Sequence, residues 1–106
     1  MVSYDDFAGL DIRVAMVKDV ERIPKSKKLY KLKIDMGKEE RTIVAGIAEY
    51  YKENELRGKR IVVLANLEPK TVMGVKSQGM LLAAEDGEDV AVLVPDRDAK
   101  AGAKVR

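Results

Sequence analysis

Cysteine and histidine are both absent from the 106 residues of this sequence. Without cysteine the chain has no disulfide, no thiol nucleophile and no thiolate metal site. Without histidine it lacks the usual imidazole base, the Ser–His and Cys–His catalytic pairs, and the commonest transition-metal ligand. The acidic residues stand mostly singly or in adjacent pairs among lysines, a spacing that marks neither a metal loop nor a paired-carboxylate site. We therefore expect a protein that is not an enzyme and that uses no cofactor or metal.

Long apolar runs are also missing. No run approaches the roughly 20 residues of a membrane span, and the N-terminus lacks the basic-then-apolar order of a signal peptide. Apolar residues make up 46% of the chain, which suffices for one packed core at this length. We expect a single soluble domain over residues 1–106, cytoplasmic and without a membrane partner. The initial methionine suits a complete protein, but an excised domain would read the same way.

Charge is balanced overall but unevenly distributed along the chain. The net charge is +2, yet residues 13–33 hold eight basic against two acidic residues, and residues 57–76 hold five against one. Residues 85–98 reverse the balance, with six acidic residues and one basic. Any single lysine is best explained as solvated surface, but two basic segments and an acidic end produce an oriented field. The clustering favours a polyanionic partner.

Side-chain amides are scarce in a sequence of which charged residues make up 36%. Only Asn54, Asn66 and Gln78 carry them. A composition rich in ions, poor in amides and free of cysteine lies in the direction seen in hyperthermophile proteins. Thermophilic origin is therefore a hypothesis, which a thermal unfolding midpoint in the mesophile range would remove.

Hydrophobic periodicity predicts a series of short strands. We expect strands over residues 11–20, 29–35, 41–45, 61–67, 80–84 and 90–94. Ser3 is expected to cap a first helical turn over Tyr4–Ala8. Residues 47–56 have helical character, and Gly58 is expected to end that helix in the left-handed conformation. Alternation fails at Ala15–Val17, as it would at a bulge in a strongly curved strand.

The order of these elements predicts an all-β fold. Five short strands with one helix between the third and fourth match the OB-fold, a five-stranded Greek-key barrel, here with short extra elements at the termini. An SH3-like barrel is the main alternative, and the helix position argues against it. In an OB-fold, oligonucleotides and oligosaccharides meet the face of strands two and three and the loops joining strands one–two and four–five.

The segment between the fourth and fifth strands is longer than a chain reversal requires, since hairpin loops need about two to five residues. Pro69, Gly74 and Gly79 punctuate it, and the glycines permit a positive φ or close approach of another molecule. Its polar donors suit an anion or a nucleic-acid backbone. These donors are Asn66, Lys70, Lys76 and Ser77.

Further basic residues fall where an OB-fold binds its ligands, namely those of the loop Lys25–Lys28, then Lys31, Lys33 and Arg41. Met80 is an apolar candidate beside Ser77, although a methionine opening a buried strand is usually core filler. Ser77 is explained equally well by a local turn hydrogen bond. Asn66 is somewhat better explained as an amide that closes the loop.

Aromatic platforms, on which OB-folds stack extended single strands, are few here. The five aromatic residues are Tyr4, Phe7, Tyr30, Tyr50 and Tyr51. Periodicity directs Tyr30 into the core, and Tyr50 and Tyr51 are expected in the helix, away from the binding strands. Recognition by backbone and shape, the usual mode for folded RNA, is therefore favoured over single-stranded DNA binding.

Several sequence blocks carry a family resemblance. They are F-A-G-L-D-I-R-V at 7–14, K-L-Y-K-L-K-I-D at 28–35, R-T-I-V-A-G-I-A at 41–48, N-L-x-P at 66–69 and M-G-V-K-S-Q-G-M-L-L-A-A at 73–84. With these blocks the chain resembles the tRNA-binding-domain family. That module occurs as the C-terminal domain or separate β subunit of methionyl-tRNA synthetase, in stand-alone tRNA-binding proteins, and in endothelial monocyte-activating polypeptide II.

The resemblance implies a noncatalytic tRNA-binding protein, either the β subunit of methionyl-tRNA synthetase or a stand-alone homologue. It implies tRNA as ligand, a homodimer built largely from N- and C-terminal segments, and a separate synthetase catalytic chain as a partner. Binding would involve Lys28, Lys31, Lys33, Arg41, Asn66, Lys70, Gly74, Lys76, Ser77, Gly79 and Met80.

A second family gives an alternative of another class. CsaA-type export chaperones resemble the chain in size, fold and the opening D-F-x-x-L-D-I-R block, and they bind unfolded peptides in a dimer groove. The segment Asn66–Ala84 separates the two, because its G-x-K-S-Q-G-M-L-L-A-A run looks like the tRNA-binding branch. An assembly scaffold for synthetase complexes is a third possibility, compatible with the first.

Overall fold

The structure, a computed structural model, describes all residues from Met1 to Arg106. It contains two short helices and nine strands. The helices are α1 (Tyr4–Ala8) and α2 (Glu53–Leu56). The strands are β1 (Ile12–Arg22), β2 (Tyr30–Asp35), β3 (Glu40–Ala45), β4 (Arg60–Leu64), β5 (Lys70–Val72), β6 (Val75–Ser77), β7 (Met80–Leu81), β8 (Ala83–Asp86) and β9 (Asp89–Val92).

Five strands form a nearly closed antiparallel barrel in the order β3-β2-β1-β4-β7. The segment before β7 returns to β3, where the Gln78 N–H donates to the Thr42 carbonyl at 2.9 Å and the Val44 N–H donates to Ser77 Oγ at 2.9 Å. These bonds bring the two outer strands of the sheet together. The expected all-β OB-type barrel is confirmed.

In strand β2 the alternation of apolar and polar residues determines which side chains are buried. Tyr30, Leu32 and Ile34 are at most 1% exposed, while Lys31 and Lys33 lie on the opposite face. Successive side chains of a strand point to opposite faces, so the pattern Y-K-L-K-I-D buries every second residue. The predicted inner and outer faces of this strand are confirmed.

Strand β1 bends so that it can pair with two neighbours. Its first half pairs with β4, its second half pairs with β2, and the register shifts between Val17 and Asp19. The extra residue in a bulge increases local twist, which allows one strand to serve both sides of a barrel. The predicted irregularity is present, one or two residues beyond the break in alternation at Ala15–Val17.

The helix expected over residues 47–56 is shorter than predicted. Residues 47–50 form a turn, Lys52 is extended with φ −79° and ψ 156°, and only Glu53–Leu56 is helical. The Tyr51 carbonyl accepts a hydrogen bond from the Tyr30 hydroxyl at 2.7 Å. A continuous helix would direct that carbonyl to the amide four residues later. Gly58, at φ +81°, adopts the predicted left-handed conformation.

The segment after β4, predicted as a loop, contains a hairpin of β5 and β6. Its two-residue turn is Met73–Gly74, with φ angles of +48° and +83°. Two positive φ values are typical of a type I′ turn, whose twist matches that of the flanking strands. The predicted buried strand over 80–84 is also wrong, because it divides into β7 and β8 and Met80 is 43% exposed.

The C-terminal segment is bonded to the barrel, whereas the N-terminal helix is mostly exposed. Ser3 caps α1 as predicted, in a capping box with Asp6. The C-terminal segment runs beside β1, where the Gly102 N–H donates to the Val14 carbonyl at 2.7 Å and the Val105 N–H donates to the Ile12 carbonyl at 2.8 Å. Neither helix has the length or the apolar content that crossing a bilayer requires.

Candidate nucleic-acid interface

Three segments lie toward the end of the barrel where β2 begins and β3 ends, and we call them the loop end. They are the β1–β2 loop (residues 23–29), the turn after β3 (residues 46–52) and the hairpin tip (residues 73–74). The first two are joined by the Ala48 N–H, which donates to the Lys28 carbonyl at 3.0 Å, and Leu29 packs over Gly46.

The β3 register brings the hairpin tip to the same end. Ser77 bonds to Val44 and Gln78 bonds to Thr42, so β6 runs antiparallel along the edge of β3. The hairpin tip, which precedes Ser77 in the chain, therefore lies toward the last residue of β3 and beyond it. The β1–β2 loop and the hairpin tip therefore lie toward the same end of the barrel.

The β1–β2 loop and the β5–β6 hairpin carry a group of exposed lysines that have no acidic partner in the structure. None of them makes an ion pair. They are Lys25, Lys27 and Lys28 on the β1–β2 loop and Lys70 and Lys76 on the hairpin. Because unpaired surface ammonium groups are free to neutralise phosphates, these two segments suit a polyanion.

The two lysines predicted on β2 have different surroundings. Lys31 lies directly opposite Glu21 in the β1–β2 pairing, and Lys33 lies opposite Asp19. Lys33 Nζ is also 3.7 Å from Glu40. Since opposite charges on neighbouring strands attract one another, this strip is less positive than the local sequence balance indicated.

Lys18 and Glu40 form the shortest ion pair near this strip, with Nζ and Oε2 2.5 Å apart. The hydrogen bond and the charge of Lys18 lower the pKa of Glu40, and those of Glu40 raise the pKa of Lys18. Glu40 therefore remains ionised well into the acid range. Its charge further offsets that of Lys33.

Arg41 is held by intramolecular bonds. Its guanidinium donates to the Ala65 and Gln78 carbonyls and pairs with Glu39 at 2.8 Å, with 24% of the side chain exposed. The guanidinium thus ties β3 to the start and the end of the segment between β4 and β7. A phosphate contact by Arg41 stays a prediction, and its observed contacts are structural.

Three further predicted residues make intramolecular contacts that fix the conformation of the segment between β4 and β7. Ser77 is 8% exposed, accepting from the Val44 N–H and donating to the Gly79 carbonyl at 3.1 Å. Gly79 has φ +144°, and a Cβ there would lie 3.0 Å from the Leu64 carbonyl oxygen. Asn66 accepts from the Asp11 N–H and donates to the Gly9 carbonyl, both at 2.8 Å.

The remaining predicted residues are open to solvent. Gly74 forms the hairpin tip, flanked along the hairpin by Lys70 and Lys76, and a Cβ added to it would meet no atom within 4 Å. Met80 is exposed rather than core filler, but it lies beside Leu64 on the outer face of β4 and β7. That face is distinct from the loop end.

The structure adds one residue, Tyr50, to the loop end that sequence reasoning had placed elsewhere. Lys25 and Lys27, which the sequence placed on the basic β1–β2 loop, are exposed there. Tyr50 lies there because the expected helix does not form over residues 47–52. No sequence signal distinguished that turn from a helical one.

A nearly closed OB-type barrel with unpaired lysines on its β1–β2 loop and hairpin is typical of an oligonucleotide-binding domain. Its family follows from comparison with known proteins. Residues 12–104 match the family model described as "Putative tRNA binding domain", so the chain belongs to that family.

Individual relatives agree with this assignment. Over 105 residues and 99% of its length, the chain is 56% identical to methionine–tRNA ligase of Pyrococcus horikoshii. It spans only 14% of that relative.

Solved structures include a MetRS-related protein from Pyrococcus horikoshii, with a TM-score of 0.95, 41% identity, and coverage of 100% of this chain and 98% of the other. The CsaA chaperone protein from Picrophilus torridus has a TM-score of 0.93 and 35% identity, with both chains covered fully.

Proposed function

We propose that this chain is a noncatalytic tRNA-binding protein that binds folded tRNA through backbone and shape. It would act as the β subunit of methionyl-tRNA synthetase or as a stand-alone homologue. Family membership and identity to methionine–tRNA ligases support the class of ligand. The observation that carries the proposal is the group of unpaired lysines on the β1–β2 loop and the β5–β6 hairpin.

The lysines divide by surroundings into two proposed roles. Lys28, Lys70 and Lys76 have no acidic partner and would neutralise phosphates directly. Lys31 and Lys33 would contribute less, since they face Glu21 and Asp19. Gly74 would allow the backbone to approach the hairpin tip, while Arg41, Asn66, Ser77 and Gly79 would act by holding the loop in shape.

A homodimer is part of the proposal. The outer side of β4, β7 and the residues after β9 presents apolar side chains, with Met80 43%, Leu93 42% and Val94 50% exposed. Leu64 and Leu82 lie beside them and are half-buried. We call this set the apolar face. Contiguous exposed apolar surface typically marks a protein interface, and two copies joined here would offer tRNA two loop ends.

A separate methionyl-tRNA synthetase catalytic chain in the cytoplasm is the proposed partner. In that arrangement the catalytic chain would supply the chemistry and this domain would supply affinity for tRNA. Co-purification of the two from the native cell would support this arrangement, as would a rise in aminoacylation rate when this chain is added.

A peptide-binding chaperone is the second candidate, since the CsaA protein of Picrophilus torridus has the same fold at 35% identity. The apolar face would then contribute to a groove for unfolded segments. Suppression of aggregation of a reduced test protein, together with absent tRNA retardation, would favour this function over the first.

The proposed function is tested by competition for the wild-type protein between total folded tRNA and an unstructured RNA of equal length. We expect folded tRNA to bind at least several-fold more tightly. Lys76→Glu should weaken tRNA binding, whereas Lys38→Glu should have little effect, because Lys38 lies in the β2–β3 turn at the opposite end of these strands. Equal binding of both RNAs would show that the protein does not recognise the folded shape of tRNA.

A further inference from the structure

Tyr50 differs from the other tyrosines of the barrel in having no partner. Tyr30 donates its hydroxyl to the Tyr51 carbonyl, and the Tyr51 hydroxyl accepts from the Val92 N–H at 3.0 Å. Tyr50 makes no side-chain hydrogen bond and is 41% exposed. Its ring is therefore available to a ligand.

The position of Tyr50 places that ring beside the basic loop. It lies two residues beyond Ala48, whose N–H is bonded to the Lys28 carbonyl at 3.0 Å. The expectation that Tyr50 lies in a helix away from the binding strands is wrong, because residues 47–50 form a turn. An exposed aromatic ring is thus present at the loop end.

Tyr50 lines a surface depression of about 210 Å³ together with Arg22, Tyr30 and Ala48. The Arg22 guanidinium lies over the Tyr30 ring, 5.6 Å from its centroid. Arg22 makes no hydrogen bond and no ion pair, in contrast to Arg57, which bonds to Asp19 and to the Val20 carbonyl. The guanidinium therefore lies within cation–π range of the Tyr30 ring, and its N–H groups remain unused.

The combination of an exposed ring, a guanidinium without hydrogen-bond partners and adjacent lysines suits one kind of ligand. Bases stack on aromatic rings and on guanidinium planes, and unused guanidinium donors pair with base edges or phosphates. A purely anionic ligand such as a sulfated sugar would use the lysines without needing the ring. The depression therefore favours an unpaired nucleobase.

We propose that Tyr50 and Arg22 hold one unpaired base of the bound RNA in this depression. The inference rests on the proposed function, since it adds base stacking to the backbone contacts that the lysines make. The neighbouring phosphates are expected to run toward Lys28 rather than toward α2. Glu49 and Glu55 also line the depression, together with Lys52, and the two carboxylates disfavour a phosphate on that side.

Binding measurements separate this site from the phosphate contacts. Tyr50→Ala is expected to weaken tRNA binding roughly 5- to 150-fold, the range measured for a lost base stack. Tyr50→Phe should stay within about twofold, since it keeps the ring. Tyr4→Ala removes another exposed tyrosine, in α1, and is the matched control with no expected effect.

Heparin serves as a polyanion without bases. Tyr50→Ala should leave heparin binding unchanged, whereas Lys28→Gln should weaken the binding of both heparin and tRNA. Arg22→Lys should weaken tRNA binding several-fold because the planar guanidinium is lost. It should keep heparin binding because the positive charge is retained. Suppose that Tyr50→Ala binds tRNA as well as Tyr4→Ala does, while Lys28→Gln binds it more weakly. The stacking proposal is then refuted and the proposed function stands. If the wild type does not retain tRNA, the proposed function itself fails.

A spectroscopic readout tests the contact directly. The chain has no tryptophan, so Tyr50→Trp introduces a single indole in the depression. Stacking with a base is expected to quench its fluorescence on addition of tRNA, and heparin should leave the emission intensity unchanged. Emission equally unaffected by saturating tRNA would overturn the proposal. Unfolding midpoints of all variants within a few degrees of wild type would confirm that folding is retained.

Discussion

At the scale of single residues, neighbouring charges determine what each lysine of the surface contributes. Lys31 and Lys33 face acidic side chains across the β1–β2 pair, while Lys28 and Lys76 face solvent. The attraction between charges falls with distance and with screening by salt. A lysine opposite a carboxylate therefore adds less to the field at a ligand than an unpaired one.

The Lys18–Glu40 pair gives a pH-dependent prediction at this scale. Because the Glu40 pKa is lowered, the pair's contribution to folding stability is lost as pH falls through that lowered value. Raising of the Lys18 pKa means that it is also lost as pH rises through the raised value. Lys18→Met should return the Glu40 pKa toward its ordinary value, as measured by an NMR titration of the side-chain carboxyl.

Lys33→Met is the matched control for that titration. Lys33 lies 3.7 Å from Glu40, farther than Lys18, and has the smaller influence on the Glu40 pKa. Its removal should shift the titration less. An equal or larger shift for Lys33→Met would contradict the assignment of Lys18 as the main partner.

The two adjacent tyrosines provide a second residue-scale prediction. Tyr51→Phe removes the acceptor of the Val92 N–H, and leaving such a group unpaired costs about 1–3 kcal/mol. Tyr50→Phe removes a hydroxyl that has no protein partner, so its effect should lie within about 0.5 kcal/mol. Urea unfolding measures both values, and equal destabilisation would refute the distinction between them.

At the scale of elements, two glycines fasten the C-terminal segment to the barrel. A Cβ on Gly102 would lie 2.5 Å from the Met36 carbonyl oxygen, and one on Gly37 would lie 2.7 Å from the Ala101 carbonyl oxygen. Only backbones without side chains approach so closely. The contact holds residues 101–105 beside β1, where they continue its hydrogen bonding.

Gly102→Ala is therefore expected to destabilise the protein by more than its backbone conformation alone would cause. Gly87→Ala is the matched control, because Gly87 also has a positive φ, +61°, but no atom near its Cβ position. A left-handed alanine costs roughly 1–2 kcal/mol, and the clash at Gly102 should add about 1–3 kcal/mol. Similar unfolding free energies for the two variants would show that the contact is unimportant.

The elements also show how far sequence reasoning reaches. Strand β2 follows from clean alternation, β3 follows from a short β-branched and apolar run, and the α1 cap follows from Ser3. The β5–β6 hairpin was missed because its strands are three residues long and its turn uses Met73, where asparagine is the usual signal. The helix over residues 47–56 was overestimated because the Tyr30 hydroxyl, distant in sequence, captures the Tyr51 carbonyl.

The candidate site was predictable to a similar extent. The positions of Lys28, Lys70 and Lys76 follow from the fold and their exposure. The pairing of Lys31 with Glu21 depends on strand register, and the burial of Ser77 depends on contact with β3. Neither is a local property of the sequence, so neither was available before the structure.

At the scale of the whole molecule, the loop end and the apolar face are separate surfaces. The loop end is basic and would bind RNA, while the apolar face would bind a second copy. Linking two sites raises the apparent affinity for a ligand that reaches both. The dimer would therefore strengthen tRNA binding without adding any contact to either loop end.

Disruption of the apolar face tests this arrangement. Leu93→Asp is expected to convert a dimer to a monomer in analytical ultracentrifugation and to weaken tRNA binding indirectly, because an isolated carboxylate is costly to bury. Met73→Asp, at the exposed hairpin tip, should weaken tRNA binding and leave the oligomeric state unchanged. A wild-type monomer, or a Leu93→Asp dimer of undiminished stability, would contradict the proposed interface.

The salt dependence of tRNA binding tests the account's central claim most directly. Each phosphate neutralised contributes roughly 0.7–0.9 to the slope of log affinity against log salt. The Lys28→Gln/Lys76→Gln double variant should lose roughly that amount per lysine, while Lys38→Gln keeps the wild-type slope. Equal slopes for the double variant and Lys38→Gln would show that the loop end does not contact tRNA phosphates.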